Sequence, residues 1–158
     1  MPVYLVRHAH AGKRSRWEGD DTVRPVSERG RAQARAIAEM LRDVGVRRIL
    51  TSPFARCVQT VEPLASLTGV PLEHDERLAE GADPEVVVGL VLDLDGTHGV
   101  VCSHGDVIPP VLRRLVEMGM EADDELPDQK GSVWRIEIEG DRPVRAVYVP
   151  PEDEAPEP

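Results

Sequence analysis

Aromatic residues are scarce in this 158-residue chain: two Trp, two Tyr and one Phe, 3% in all. The core must therefore be built from Val, Leu, Ile and Ala, within an apolar content of 41%. Positive charge is also in deficit, with 19 Lys and Arg against 29 Asp and Glu, a formal net charge of −10. That balance argues against a surface for nucleic acid or anionic membranes. It leaves room for an anionic ligand wherever arginines gather in one cleft. Cysteine is limited to Cys57 and Cys102, which lack metal-ligand spacing. No apolar run is long enough to span a bilayer and no signal peptide is evident, so the expected compartment is the cytoplasm. The length fits one domain with a sizeable core.

The most informative stretch lies near the start. Val3-Tyr4-Leu5-Val6 is a short β-branched and aromatic run that ends abruptly in Arg7-His8-Ala9-His10-Ala11-Gly12. It reads as a buried strand whose carboxyl end carries a guanidinium and an imidazole. In open α/β sheets that edge is where ligands bind. Residues 11–26 follow as a polar loop without periodicity. Within it Lys13, Arg14, Arg16 and Arg24 can form a basic wall that orients an anion.

The rest alternates. Ser27 can cap a helix over 27–44, stopped by Gly45. Residues 47–50 form a short strand. Ser52-Pro53 then starts a helix to about 68, with Arg56 in its first turn. A third strand fits 71–74, and a loop holding Glu80 leads to a helix over 84–95. Val100-Val101-Cys102-Ser103 is a fourth apolar strand, ending at His104-Gly105-Asp106. Asp106 fits the N-cap of a helix to about 118. After a polar loop containing Lys130, strands at 133–138 and 144–149 form a hairpin. This order predicts a three-layer αβα sandwich with a mostly parallel sheet and a C-terminal antiparallel hairpin. The domain is expected to cover 1–150, with 151–158 an acidic, proline-rich disordered tail.

Arg7, His8, Arg56 and His104 each fall at the carboxyl end of a strand. Phosphoryl transfer needs an in-line nucleophile and positive charge on three equatorial oxygens. His8 suits the nucleophile through one neutral ring nitrogen, its other nitrogen donating to a backbone carbonyl. Arg7 and Arg56 would hold the oxygens, with His104 as a further donor. Glu80 is the candidate proton source for the leaving oxygen, with Asp83 and Glu85 as nearby competitors. His10 would line the cleft.

Three motifs carry a resemblance. Arg7-His8-Ala9, Ser52-Pro53-Phe54-Ala55-Arg56-Cys57-Val58-Gln59-Thr60 and Ser103-His104-Gly105 occur in order. The chain resembles the histidine phosphatase superfamily over roughly residues 1–150, and within it the small SixA-like branch. The resemblance implies a phosphoglycerate mutase-like fold and a phosphohistidine intermediate on His8. It also implies phosphate-pocket roles for Arg7, Arg56, His104 and Gly105, an acid/base role for Glu80, and no metal or other cofactor. A narrower likeness involves Arg16-Trp17-Glu18-Gly19-Asp20-Asp21, the run 24–34 and Lys130-Gly131-Ser132-Val133-Trp134. These resemble the C-terminal phosphatase domain of actinobacterial Nudix–phosphatase fusions of MutT type, which are associated with nucleoside diphosphates. That likeness implies that the 13–24 loop and Lys130 touch a substrate beyond its phosphate. The partner expected overall is a phosphorylated substrate, either a protein phosphohistidine or a small phosphate ester or nucleoside diphosphate.

Short spacings from Arg56 to Glu80 and from Glu80 to His104 leave no room for covering insertions. An open cleft is expected, which disfavours mutase activity. A cysteine phosphatase would need Cys-x5-Arg, and Pro63 and Ile108 stand at the arginine positions. A metallohydrolase could use His8, His10 and Asp106, but no carboxylate-rich ligand set follows. A non-catalytic phospho-ligand-binding or scaffold module on the same fold is the remaining alternative.

Overall fold

The computed structural model describes residues 1–152; the acidic tail expected from 151 lies, from Asp153 on, outside the described residues. Six strands form one sheet: β1 (Pro2–Arg7), β2 (Ile49–Thr51), β3 (Leu72–His74), β4 (Val100–Ser103), β5 (Val133–Glu139) and β6 (Arg142–Val149). Their spatial order is β3-β2-β4-β1-β5-β6. Strands β3, β2, β4 and β1 run parallel, whereas β5 pairs antiparallel with both β1 and β6. This is the expected α/β sandwich.

The helices α1 (Glu28–Leu41), α2 (Ala55–Thr68), α3 (Pro84–Asp93) and α4 (Ile108–Glu117) cover both faces. The alternation of β1 shows why. Tyr4 and Val6 join a core with Ile37, Leu41, Val61 and Leu64 of α1 and α2. Val3 and Leu5 join the other core with Val91, Val111, Leu112 and Leu115 of α3 and α4. A strand buried on both faces must read as a continuous apolar run. Trp134, 1% exposed, is the largest fully buried side chain and packs in the α3–α4 core with its ring 5.1 Å from that of Tyr148.

The register sets the site. Arg7 of β1 lies opposite Ser103 of β4, and Thr51 of β2 opposite Cys102. The residues that follow these strand ends therefore meet along one edge.

Four local expectations change. Strand β2 begins at Ile49 rather than at 47, and Arg48 just before it pairs with Glu73 at 2.7 Å. Helix α2 starts at Ala55, with Phe54 as N-cap. Ser52 is not its cap, since its hydroxyl is taken by His104. Helix α4 is entered through Val107, not Asp106. Asp106 instead accepts the Gly81 N–H at 2.8 Å. The 11–26 loop contains two 3₁₀ turns, Arg14–Arg16 and Asp21–Val23, and buries Arg24 and Val26.

Candidate active site

His8 lies just beyond β1 and is 6% exposed. Its Nδ1 is 2.9 Å from the Ala9 carbonyl. A carbonyl only accepts, so Nδ1 carries the proton and Nε2 keeps its lone pair. Burial pushes the imidazole down to about 3; His104, Arg56 and Arg7 add to the effect and the Ala9 hydrogen bond opposes it. The ring is thus neutral at physiological pH, the state a nitrogen nucleophile requires.

Thr60 of α2 holds this loop in place. Its Oγ1 accepts from Ala9 N at 2.8 Å and donates to the Arg56 carbonyl at 2.6 Å. One hydroxyl therefore couples the loop bearing His8 to the first turn bearing Arg56. On the same helix, Gln59 accepts from Val26 N at 2.9 Å and ties down the end of the 11–26 loop.

The two arginines are secured from outside the pocket. Arg7 Nη1 donates to the main-chain carbonyl of Asp128. Arg56, 1% exposed, donates to the Asp21 carbonyl at 2.9 Å and pairs with the Asp21 carboxylate at 3.1 Å. Its guanidinium also sits 5.0 Å from the Phe54 ring centroid. Arg7 Nε and Arg56 Nε are buried and have no hydrogen-bond partner in the protein. His104 is similar: Nε2 is 2.8 Å from Ser52 Oγ, while Nδ1 is buried and unpartnered. The His8 and His104 rings meet edge-on with centroids 5.5 Å apart.

Glu80 stands at the mouth of the site, with Oε1 paired to Arg14 and Oε2 3.6 Å from Arg56. Its competitors are elsewhere. Asp83 caps α3, and Glu85 pairs with Arg114 at 2.8 Å. Gly105 has a steric reason to be glycine: an added Cβ would lie 2.6 Å from Arg7 Nη2.

All five residues read as catalytic from the sequence line one cavity of about 450 Å3: Arg7, His8, Arg56, Glu80 and His104. Gly105, Lys13, Arg14, Arg24 and Lys130 line it as well. His10 and Arg16 do not. They line an adjoining groove of about 570 Å3 with Trp17, Pro25, Val26 and Ser27. Gly12, Lys13, Arg24 and Lys130 belong to both spaces. Arg24 is 7% exposed, with Nε on Asp21 at 2.9 Å and Nη1 on the Ala11 carbonyl at 2.7 Å, so it shapes the wall rather than reaching out from it. The structure gives roles to motif residues that the sequence quoted without one: Ser52, Thr60 and Asp21 as supports, and Trp17 as the wall of the groove. It also adds Asp128, which had no signal because it meets Arg7 from a distant loop.

The metal alternative does not assemble. Asp106 is engaged with Gly81 N, and among the described residues no group of three or more His, Cys, Asp or Glu could hold a metal ion. Among the described residues no helix is long and apolar enough to cross a membrane.

The parallel sheet edge thus gathers a neutral histidine, two arginines and a second histidine around one pocket. The profile of the histidine phosphatase superfamily (branch 1) matches residues 3–82, and the chain belongs to that superfamily. It is 35% identical over 157 residues to the 8-oxo-(d)GTP phosphatase of Mycolicibacterium smegmatis, covering 96% of this chain and 49% of that protein. The chain thus spans about half the length of that relative. The fold is similar to that of the protein histidine phosphatase SixA complexed with tungstate, with TM-score 0.75, 22% identity and 94% coverage of both chains. It is also similar to a mycobacterial glucosyl-3-phosphoglycerate phosphatase in complex with VO3, with TM-score 0.68, 17% identity, and 93% and 96% coverage.

Proposed function

We propose that this chain hydrolyses a small phosphorylated metabolite of nucleotide type through a covalent phosphohistidine on His8, without a metal. The observation that carries the chemistry is the set of three buried, unpartnered donors, Arg7 Nε, Arg56 Nε and His104 Nδ1, in residues that line one pocket with the neutral His8 ring. Orphaned buried N–H groups are rare and costly. Three of them match the three equatorial oxygens of a phosphoryl group in flight.

In the first step the His8 Nε2 lone pair forms the N–P bond and the bond to the leaving oxygen breaks. That oxygen keeps the electron pair and takes a proton from the Glu80 carboxyl. In the second step water attacks phosphorus and passes a proton to the Glu80 carboxylate. The N–P bond breaks, inorganic phosphate leaves, and His8 regains its lone pair. The Ala9 carbonyl, as acceptor for Nδ1–H, supports the positive charge that forms on the ring.

The groove supports the substrate class. Trp17 Nε1 is spent on the Asp20 carbonyl at 2.9 Å, so its ring offers an apolar, fixed surface beside Pro25 and Val26. Lys13 and Lys130 stand where groove and catalytic pocket join. A terminal phosphoryl in the pocket, a second phosphate at that junction and a flat ring against Trp17 fit the two spaces together. The name of the M. smegmatis relative, an 8-oxo-(d)GTP phosphatase, supports a nucleotide. A phosphohistidine side chain would leave the groove unused.

The test is phosphate release, with chelator present, from nucleoside diphosphates and from a phosphohistidine peptide. Wild type should prefer a diphosphate, His8→Ala should be inactive, and Trp17→Ala should raise KM for the ring-bearing substrate. Activity that survives His8→Ala overturns the covalent mechanism. Preference for the peptide returns the protein to protein phosphohistidine hydrolysis. Tight binding of phosphate compounds without turnover makes it a binding module.

A further inference from the structure

The loop between α4 and β5 contains a buried acid that the proposed chemistry does not use. The Asp128 side chain is 11% exposed. Its Oδ1 is buried with no hydrogen-bond partner. Its Oδ2 stops 3.8 Å from Arg7 Nη1, beyond hydrogen-bond reach, while the same nitrogen donates to the Asp128 main-chain carbonyl. The backbone around it is tied down. Trp134 Nε1 donates to the Pro127 carbonyl at 3.0 Å, and Gln129 N donates to the Tyr148 hydroxyl at 3.2 Å. Gly131 N donates to the Arg7 and His8 carbonyls at 3.2 and 3.1 Å. An anchored loop thus brings a carboxyl to ion-pair distance of Arg7 and leaves it short of a hydrogen bond, with one oxygen unpartnered.

We propose that Asp128 is a positioning residue for Arg7: its carbonyl aims the guanidinium, and its carboxyl, when ionised, competes with the phosphoryl group for Nη1. This rests on the phosphate-holding role of Arg7 given above. The charge states fit. Burial pushes the carboxyl up to about 7, and Arg7 draws it only part of the way back. Arg7, from β1, is the charge that acts on it. Lys130 belongs to the same loop, and the β6 neighbour, Tyr148, meets Gln129 through its hydroxyl. Neutral Asp128 leaves Arg7 to a dianionic ligand. Ionised Asp128 puts a negative charge beside that ligand and weakens its binding. The effect falls on binding rather than on the bond-breaking step.

The experiment measures kcat and KM for an aryl phosphate, and the inhibition constant of tungstate, from pH 6 to 8.5. At micromolar concentration tungstate stays a monomeric dianion over this range. Wild type should lose affinity for both by about tenfold between pH 6 and 8, as one ionisation near 7 requires, with kcat nearly constant. Asp128→Asn and Asp128→Ser, neither of which can ionise, should stay tight throughout. If both variants keep the wild-type pH dependence, or if kcat rather than KM carries it, the inference is overturned. If wild type binds no tungstate at any pH, the phosphatase reading itself fails, and this inference with it.

Discussion

Ser52 Oγ lies 2.8 Å from His104 Nε2, and this contact decides which nitrogen of His104 can serve a ligand. Ser52 Oγ also accepts the Phe54 N–H at 3.3 Å. With the Ser52 proton directed to Nε2, Nδ1 is the ring nitrogen that carries a proton, and it is the one that lacks a partner. Ser52→Ala should therefore lower kcat/KM about tenfold, the size of effect seen when the support of a functional histidine is removed. Ser52→Thr should retain activity. Steady-state kinetics on an aryl phosphate, with melting temperatures as a control, checks this.

Gly105 and Arg7 are in direct contact. A methyl at 105 would meet Arg7 Nη2 at 2.6 Å and Cζ at 2.8 Å. The guanidinium is fixed at its other end by the Asp128 carbonyl, so it must yield by tilting away from the pocket. Gly105→Ala is expected to raise KM and lower kcat/KM by at least about tenfold, since displacement of about 1 Å can cost far more. The far-ultraviolet circular dichroism should not change.

Asp21 binds three guanidinium groups, at 3.2 Å (Arg14), 2.9 Å (Arg24) and 3.1 Å (Arg56). Burial alone would raise this carboxyl, but Arg24, Arg56 and Arg14 hold it below the usual range. Asp21→Asn leaves buried Arg56 with less compensation and should cost roughly 1–2 kcal/mol, less than a fully buried pair because Asp21 is itself 27% exposed. The 13–24 loop should loosen with it. Denaturant titration reports the first effect, and KM for a ring-bearing diphosphate, expected to rise, reports the second.

The depressed His8 imidazole makes a stability statement. Unfolded His8 takes up a proton near 6.5, whereas the folded ring resists until about 3. The unfolded chain therefore binds more protons between these values, and stability falls as pH drops through that window. His8→Ala removes this contribution. Its stability should decline less than that of wild type between pH 6.5 and 4, as followed by denaturant midpoints at each pH. An identical decline in both proteins would show that His8 does not resist protonation.

The helix starts show how local pattern and tertiary demand part ways. Ser52 and Asp106 are good caps by residue type, and both are drawn off, one by His104 and the other by Gly81 N, so α2 and α4 begin later than their sequences suggest. Ser27 also meets a histidine, with His10 Nδ1 2.7 Å from its Oγ and the His10 carbonyl at 3.1 Å, yet its hydroxyl still accepts the Gly30 N–H at 3.1 Å as the pattern predicts. The basic residues of the 11–26 loop were legible as a group but not in their division of labour. Arg14 faces the pocket that holds His8, Arg16 the groove, and Arg24 turns inward.

The sheet, and the polar groups gathered at its edge, were already written in the chain. Short apolar runs ending in Arg7-His8 and Ser103-His104, and a strand leading to Arg56, can be satisfied only by buried parallel strands with polar groups past their ends. The hairpin of β5 and β6 was equally local, written in the alternation of 133–138. The groups that restrain the arginines became legible only in the folded chain. Asp21 reaches Arg56 across 35 residues and Asp128 reaches Arg7 across 121, and no periodicity records contacts between loops so far apart. The fold also decided that His8 is neutral and that one His104 nitrogen is left over. Both follow from burial and from a specific neighbour, which exist only once the layers have closed.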